Sequence, residues 1–161
     1  AGTVMENIRM HSHASDEAVM EAARQACCHD FIMKLPHGYG TMVGSGHSKL
    51  SGGEAQRISI ARAILKNAPI VILDEALAYT DAENENQMQT AIKNLVRNKT
   101  LIVIAHRLQS IAEAGQILVM QDGKIIERGT HHMLMSGDTE YKALWDLQHT
   151  ADEWSIDRRH E

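Results

Sequence analysis

The sequence predicts a mixed α/β protein, helical over residues 1–50 and alternating strands with helices thereafter. Three observations carry this. Two continuous apolar runs, "IVIL" at 70–73 and "LIVIA" at 101–105, read as strands covered on both sides. Between them lies a segment whose apolar residues Met88, Ile92 and Leu95 recur at helical spacing. Before them, polar N-cap residues and three-to-four-residue apolar spacing mark one helix after another.

In chain order, Thr3 with Glu6 forms the first capping-box pattern. A second helix starts at Ser15, with Ala18, Val19, Ala22, Ala23 and Ala26 as its apolar face. Asp30 is the expected cap of a short helix, "FIMKL", which Pro36 stops. "PHGYG" is a turn and "TMVGSGHSK" a glycine-containing loop. Ser51 and Glu54 make a second capping-box pattern, Ile58, Ala61 and Leu65 continue that helix, and Asn67 with Pro69 ends it. Asp81 is the expected cap of the helix carrying Met88. "RLQSIAEA" reads as a short helix closed by Gly115. "QILVM" and "KIIER" flank Asp122-Gly123, a strong hairpin signal. Helices follow from about Thr130 and Thr139.

Composition bounds the function. The net charge of −5 argues against a bulk nucleic-acid or anionic-membrane binder. The hydrophobic content of 43% with only 4% aromatics predicts an aliphatic, Met-rich core. The only cysteines, Cys27 and Cys28, are adjacent and would bridge only with strain, so a reducing compartment is expected. Neither apolar run is long enough to span a bilayer, and "AGTVMENIRM" lacks the pattern of a signal peptide. The chain starts without Met, which suggests a piece of a longer protein. The clusters "HSH", "CCH" and "HH" each fall short of the four ligands a zinc site needs, so solvated or partly buried histidines are expected.

Three places invite chemistry. "LSGGE" puts two glycines and a hydroxyl at a helix start, where unpaired N–H groups and a partial positive charge suit a phosphate. Taken alone it reads first as a glycine-containing helix start capped by Ser51, since short glycine motifs are weak signals. Asp74 and Glu75 end the "IVIL" strand, where ligands collect in open α/β sheets. An Asp there can hold Mg²⁺ and a neighbouring Glu can activate water, although a solvated carboxylate pair has the same appearance. His106 ends the second strand and is either their neighbour or a surface histidine.

Taken together, these segments resemble one family. "LSGGEAQR" is similar to the signature motif of ATP-binding-cassette proteins, "IVILDE" to their Walker B strand and "AHR" to their switch-histidine loop. "HDFIMKLPHGYGTMVG" and "GTVMENI" resemble the exporter branch, and "DGKIIERGTHHML" resembles the segment following the switch. The resemblance implies a partial nucleotide-binding domain, with a helical subdomain followed by the C-terminal part of a RecA-like parallel-sheet core. Its divisions would be 1–50, then 51–130 with signature helix, Walker B, D-loop and switch histidine, then C-terminal helices and tail at 131–161. No Gly-x-x-x-x-Gly-Lys-Ser/Thr run is present, so the phosphate loop is expected upstream of this chain.

The resemblance also implies roles. Two such domains would form a head-to-tail dimer around two ATP molecules, attached to a transmembrane domain at the cytoplasmic face of the plasma membrane. Ser51, Gly52 and Gly53 would bind the partner site's γ-phosphate, with Glu54 and Gln56 shaping the corner. Asp74 would hold Mg²⁺, Glu75 would be the catalytic base, and His106 would contact the γ-phosphate. Asp81 would belong to the loop that crosses the dimer. Two departures stand out. "ALAYTD" replaces the usual Ala-Thr-Ser-Ala-Leu-Asp, which implies altered communication between sites, and Ser45 stands where the exporter branch has Glu, which puts coupling to transport in doubt. The isolated chain is expected to be soluble and inactive. Two other readings differ in class. One is the C-terminal lobe of a chromosome-maintenance or DNA-repair ATPase, although residues 1–49 lack the heptads of its coiled coil. The other is a non-catalytic dimerisation fragment.

Overall fold

Reciprocal capping sets the first helix. Glu6 N–H donates to Thr3 Oγ1 at 3.1 Å, and Thr3 N–H donates to Glu6 Oε2 at 2.8 Å, so the capping box predicted by the sequence is formed. A computed structural model describes residues 2–10, 12–44, 50–74, 82–105 and 107–157, with 82–84 and 151–157 by backbone course alone. The elements in order are β1 (Gly2–Thr3), α1 (Val4–Arg9), α2 (Asp16–Gln25), α3 (His29–Met33), β2 (Met42–Val43), α4 (Gly52–Lys66), β3 (Ile70–Asp74), α5 (Ala82–Val96), β4 (Thr100–Ile104), β5 (Ile117–Gln121), β6 (Lys124–Gly129), α6 (His131–Met135) and α7 (Glu140–Asp157). Two 3-10 turns, Gly38–Gly40 and Leu108–Ile111, complete them.

The chain divides into two compact units, residues 1–73 with 78–102 and residues 74–77 with 103–161. The first has a continuous aliphatic core. Val4 and Ile8 of α1, Val19 and Ala23 of α2, Ile58 and Ala61 of α4, and Met88 and Leu95 of α5 are all buried in it. Of the apolar face expected on α2, Val19, Ala22, Ala23 and Ala26 are buried, while Ala18 is exposed. Core formation here follows the 3.6-residue period seen in the sequence.

Three local expectations are corrected. Asp30 does not cap α3. That helix starts two residues earlier, at His29, with Cys28 as an N-cap that makes no side-chain bond, because burial of Cys28 and Ile32 sets its phase. Met42–Val43 is not loop but a short strand, antiparallel to β1 with Thr3 opposite Met42. A two-residue strand carries no periodicity, so only its distant partner identifies it. The segment after residue 107 forms a 3-10 turn rather than an α-helix, with i to i−3 bonds such as Ala114 N–H to Ile111 O at 2.9 Å.

β3 and β4 pair with each other across α5, the kind of crossover a parallel pair needs. They are not covered on both sides as the apolar runs predict. Val71 is buried, but Ile70 is 56% and Ile72 64% exposed, and Leu101, Ile102 and Ile104 are exposed as well. Val71 packs into the aliphatic core of the first unit, with Leu73 partly buried against it.

The second unit is built on the predicted hairpin. Asp122 (φ 50°) and Gly123 (φ 75°) form its turn, and both signs match the twist of the flanking strands. Ile117 pairs with Gly129 and Val119 with Glu127, with an irregularity after Val119. Ile117, Val119, Leu134 and Tyr141 form its core, with Trp145 packed against them. Among the described residues, no helix is long and apolar enough to cross a membrane.

Candidate functional site

The start of α4 is the best-defined site. Ser51 is its N-cap, with extended backbone (φ −62°, ψ 160°). Glu54 N–H donates to Ser51 Oγ at 3.3 Å and Ser51 N–H donates to Glu54 Oε2 at 2.8 Å. This second predicted capping box is therefore formed, and it turns the Glu54 carboxylate back onto the chain. The N–H groups of Gly52 and Gly53 belong to the first turn, where a helix supplies no carbonyl. A Cβ built on Gly52 would meet nothing within 4 Å. Among the described residues, packing thus has no need for glycine at 52, and the side of Gly52 that would carry a Cβ is open to an anion.

What holds this helix end in place is α4 itself. Ile58, Ile60 and Ala61 are buried, and the Arg57 guanidinium lies 5.3 Å from the centroid of the Phe31 ring. Arg62 Nε donates to Asn7 O at 2.8 Å, tying α4 to α1. Asn67 closes the helix in the left-handed conformation at φ 50°. Gln56 sits in the second turn and is half-buried. Nothing in the sequence near residue 7 or 31 marks these contacts, because each joins residues far apart in the chain.

Asp74 is the last residue of β3, exposed at the carboxyl end of the strand, and it belongs to the second unit. Glu75, Asp81 and His106 lie outside the described residues, as does Ser45. The structure therefore brings Ser51, Gly52, Gly53, Glu54 and Gln56 together at one helix start and puts Asp74 at a strand end. The helix end fits a phosphate by its donors and its open space. The exposed carboxylate fits a hard cation, which takes oxygen ligands.

The backbone that follows residue 106 is fixed by a contact the sequence does not announce. Leu108 N–H donates to Gln148 Oε1 on α7 at 2.9 Å. Forty positions separate the two residues.

An α/β chain with an anion-ready helix start and a strand closing on a carboxylate has the parts of a nucleotide-binding domain. The chain belongs to the ABC transporter family: that family's model matches residues 2–78. It is similar to the mycobactin import ATP-binding/permease protein IrtA of Mycolicibacterium smegmatis, at 50% identity over 90% of this chain and 17% of that protein. It is likewise similar to the ATP-dependent lipid A-core flippase of Syntrophus aciditrophicus, at 50% identity over 93% of this chain and 25% of that one. A solved bacterial Atm1-family ABC exporter with ATP bound superposes with a TM-score of 0.80 at 40% identity, over 91% of this chain and 26% of that chain. The chain thus spans about a quarter or less of the length of these relatives.

Proposed function

We propose that this chain supplies the signature-bearing half of an ATP site in a membrane ABC exporter, coupling MgATP binding and hydrolysis to solute transport. The observation that carries the reading is the α4 start, where a formed capping box places Gly52 and Gly53 in the first turn and a Cβ on Gly52 would meet nothing within 4 Å. In a head-to-tail dimer with a second nucleotide-binding domain, Ser51, Gly52 and Gly53 bind the γ-phosphate held by the partner's phosphate loop, and Glu54 and Gln56 keep the corner's shape. Asp74 would hold Mg²⁺, and the ion when bound would supply charge neutralisation at the phosphates. Glu75 takes the proton from the attacking water, and His106 donates to the γ-phosphate oxygens as charge develops there. Asp81 belongs to the loop that links the two sites. Positioning and charge stabilisation are most of what phosphoryl transfer requires.

On this reading residues 1–50 are the helical subdomain, 51–130 the signature helix and RecA-like core, and 131–161 the C-terminal helices. The transmembrane domain is the second partner, and the site lies at the cytoplasmic face of the membrane. Nucleic acid is not a partner. The chain by itself is inactive, because no phosphate loop is encoded in it.

A titration of the purified chain with a fluorescent ATP analogue and Mg²⁺ tests this directly. No saturable binding is expected until a domain with a phosphate loop is added. Tight, competable binding to the chain alone would mean that it carries its own cradle, and the half-site reading would be wrong. In the assembled transporter, Glu75→Gln should keep ATP binding and lower hydrolysis by about a hundredfold or more.

A further inference from the structure

The 3-10 turn Leu108–Ile111 begins two residues after His106. Arg107, at its cap position, makes no side-chain cap bond. The cap comes from far along the chain, through the 2.9 Å bond from Leu108 N–H to Gln148 Oε1. A second contact lies beside it, with Gln109 Nε2 and His149 Nδ1 3.4 Å apart. The His149 ring meets that of Trp145 edge-on at 4.9 Å between centroids. α7, which carries Gln148, is itself anchored at its start. Glu127 of β6 accepts Glu140 N–H at 2.7 Å and Tyr141 N–H at 3.1 Å, and Tyr141 is 1% exposed. α7 is therefore a strut, seated on the hairpin at one end and holding the post-106 turn farther along.

We propose that Gln148 is a positioning residue for ATP hydrolysis, fixing the backbone just behind His106 from the C-terminal helix by capping Leu108. This rests on the proposed role of His106. The Leu108 amide is partly buried, and without an acceptor it must turn toward water, which moves the adjoining backbone. Displacements below 1 Å in a group that meets a transferring phosphoryl lower the rate while leaving substrate binding almost untouched. Gln148 acts through the Leu108 backbone, so its loss should appear in kcat and not in KM.

The test compares three variants in the assembled transporter. Gln148→Leu removes the acceptor at similar size and should lower kcat about tenfold with KM for ATP unchanged within about twofold. Gln148→Glu keeps an accepting oxygen and should hold kcat within about threefold of the wild type. His106→Ala should abolish hydrolysis. Independently, amide exchange at Leu108 in the 161-residue chain should accelerate about tenfold in Gln148→Leu but not in Gln148→Glu. Unchanged Leu108 exchange in Gln148→Leu, unchanged kcat, or an equal loss in Gln148→Glu would each overturn the proposal, the last by showing that bulk rather than the hydrogen bond matters. If His106→Ala leaves hydrolysis intact while Leu108 exchange still depends on Gln148, the proposed function of His106 fails. The contact is then structural only.

Discussion

Gly52 is where conformational need and chemical need separate. It lies in the helix and a Cβ would meet nothing within 4 Å, so nothing among the described residues requires glycine there. Alanine has the better helix propensity and leaves the unfolded chain fewer conformations. Gly52→Ala should therefore raise stability slightly, by about 0.5 kcal/mol in urea unfolding. In the assembled transporter the same methyl would stand between the backbone and the phosphate, and ATPase activity should fall by about tenfold or more. A variant that is both more stable and fully active would show that no ligand approaches this backbone. Ser51 and Glu54 behave differently, since their side chains hold each other and serve the helix whether or not a ligand binds.

Among the elements, α3 and the 3-10 turn that follows it share a partly buried polar contact. His29 Nδ1 and Tyr39 Oη lie 2.8 Å apart, and Cys28 and Ile32 are fully buried beside them. Burial pushes the Cys28 thiol from its ordinary 9.0 up to about 12 and the Tyr39 phenol from 10.0 up to about 12. Both groups are neutral below these values. Between about pH 9 and 12 the unfolded chain releases these protons before the folded one does, so stability is full below pH 9 and declines as pH rises. The melting temperature should fall steadily above pH 9, and Cys28→Ala, though less stable at neutral pH, should show a shallower decline. An equal slope in the variant would assign alkaline unfolding to other groups. The half-buried Cys27 should alkylate before Cys28 at pH 8.

Over the whole molecule, the β3–β4 pair is exposed in a way that ordinary monomers avoid. Each strand has the other as its neighbour, and Ile70, Ile72, Leu101, Ile102 and Ile104 present apolar surface. The purified chain should associate, giving an apparent mass above 17.9 kDa by light scattering at micromolar concentration. Ile72→Lys, placed where the side chain is 64% exposed, should reduce association without unfolding the chain. A wild-type sample that stays monomeric would mean this surface is tolerated in water.

Features set by a few neighbouring residues could be read directly from the chain. Both capping boxes, the α2, α4 and α5 core faces and the Asp122-Gly123 turn are of this kind, because a cap or a turn needs only residues within four positions and a helical face repeats every few. The capped start of α4 was legible for the same reason, Ser51 and Glu54 lying three positions apart. Contacts between distant residues were not legible. The pairing of Met42–Val43 with β1, the Arg62–Asn7 bond and the Gln148 cap on Leu108 join positions with no common period, and only the folded chain brings them together. Coverage of "IVIL" is of that second kind as well. An apolar run states that a strand is fit for burial, but the neighbouring elements decide whether a face is covered, and here they cover the Val71 side and leave Ile70 and Ile72 open.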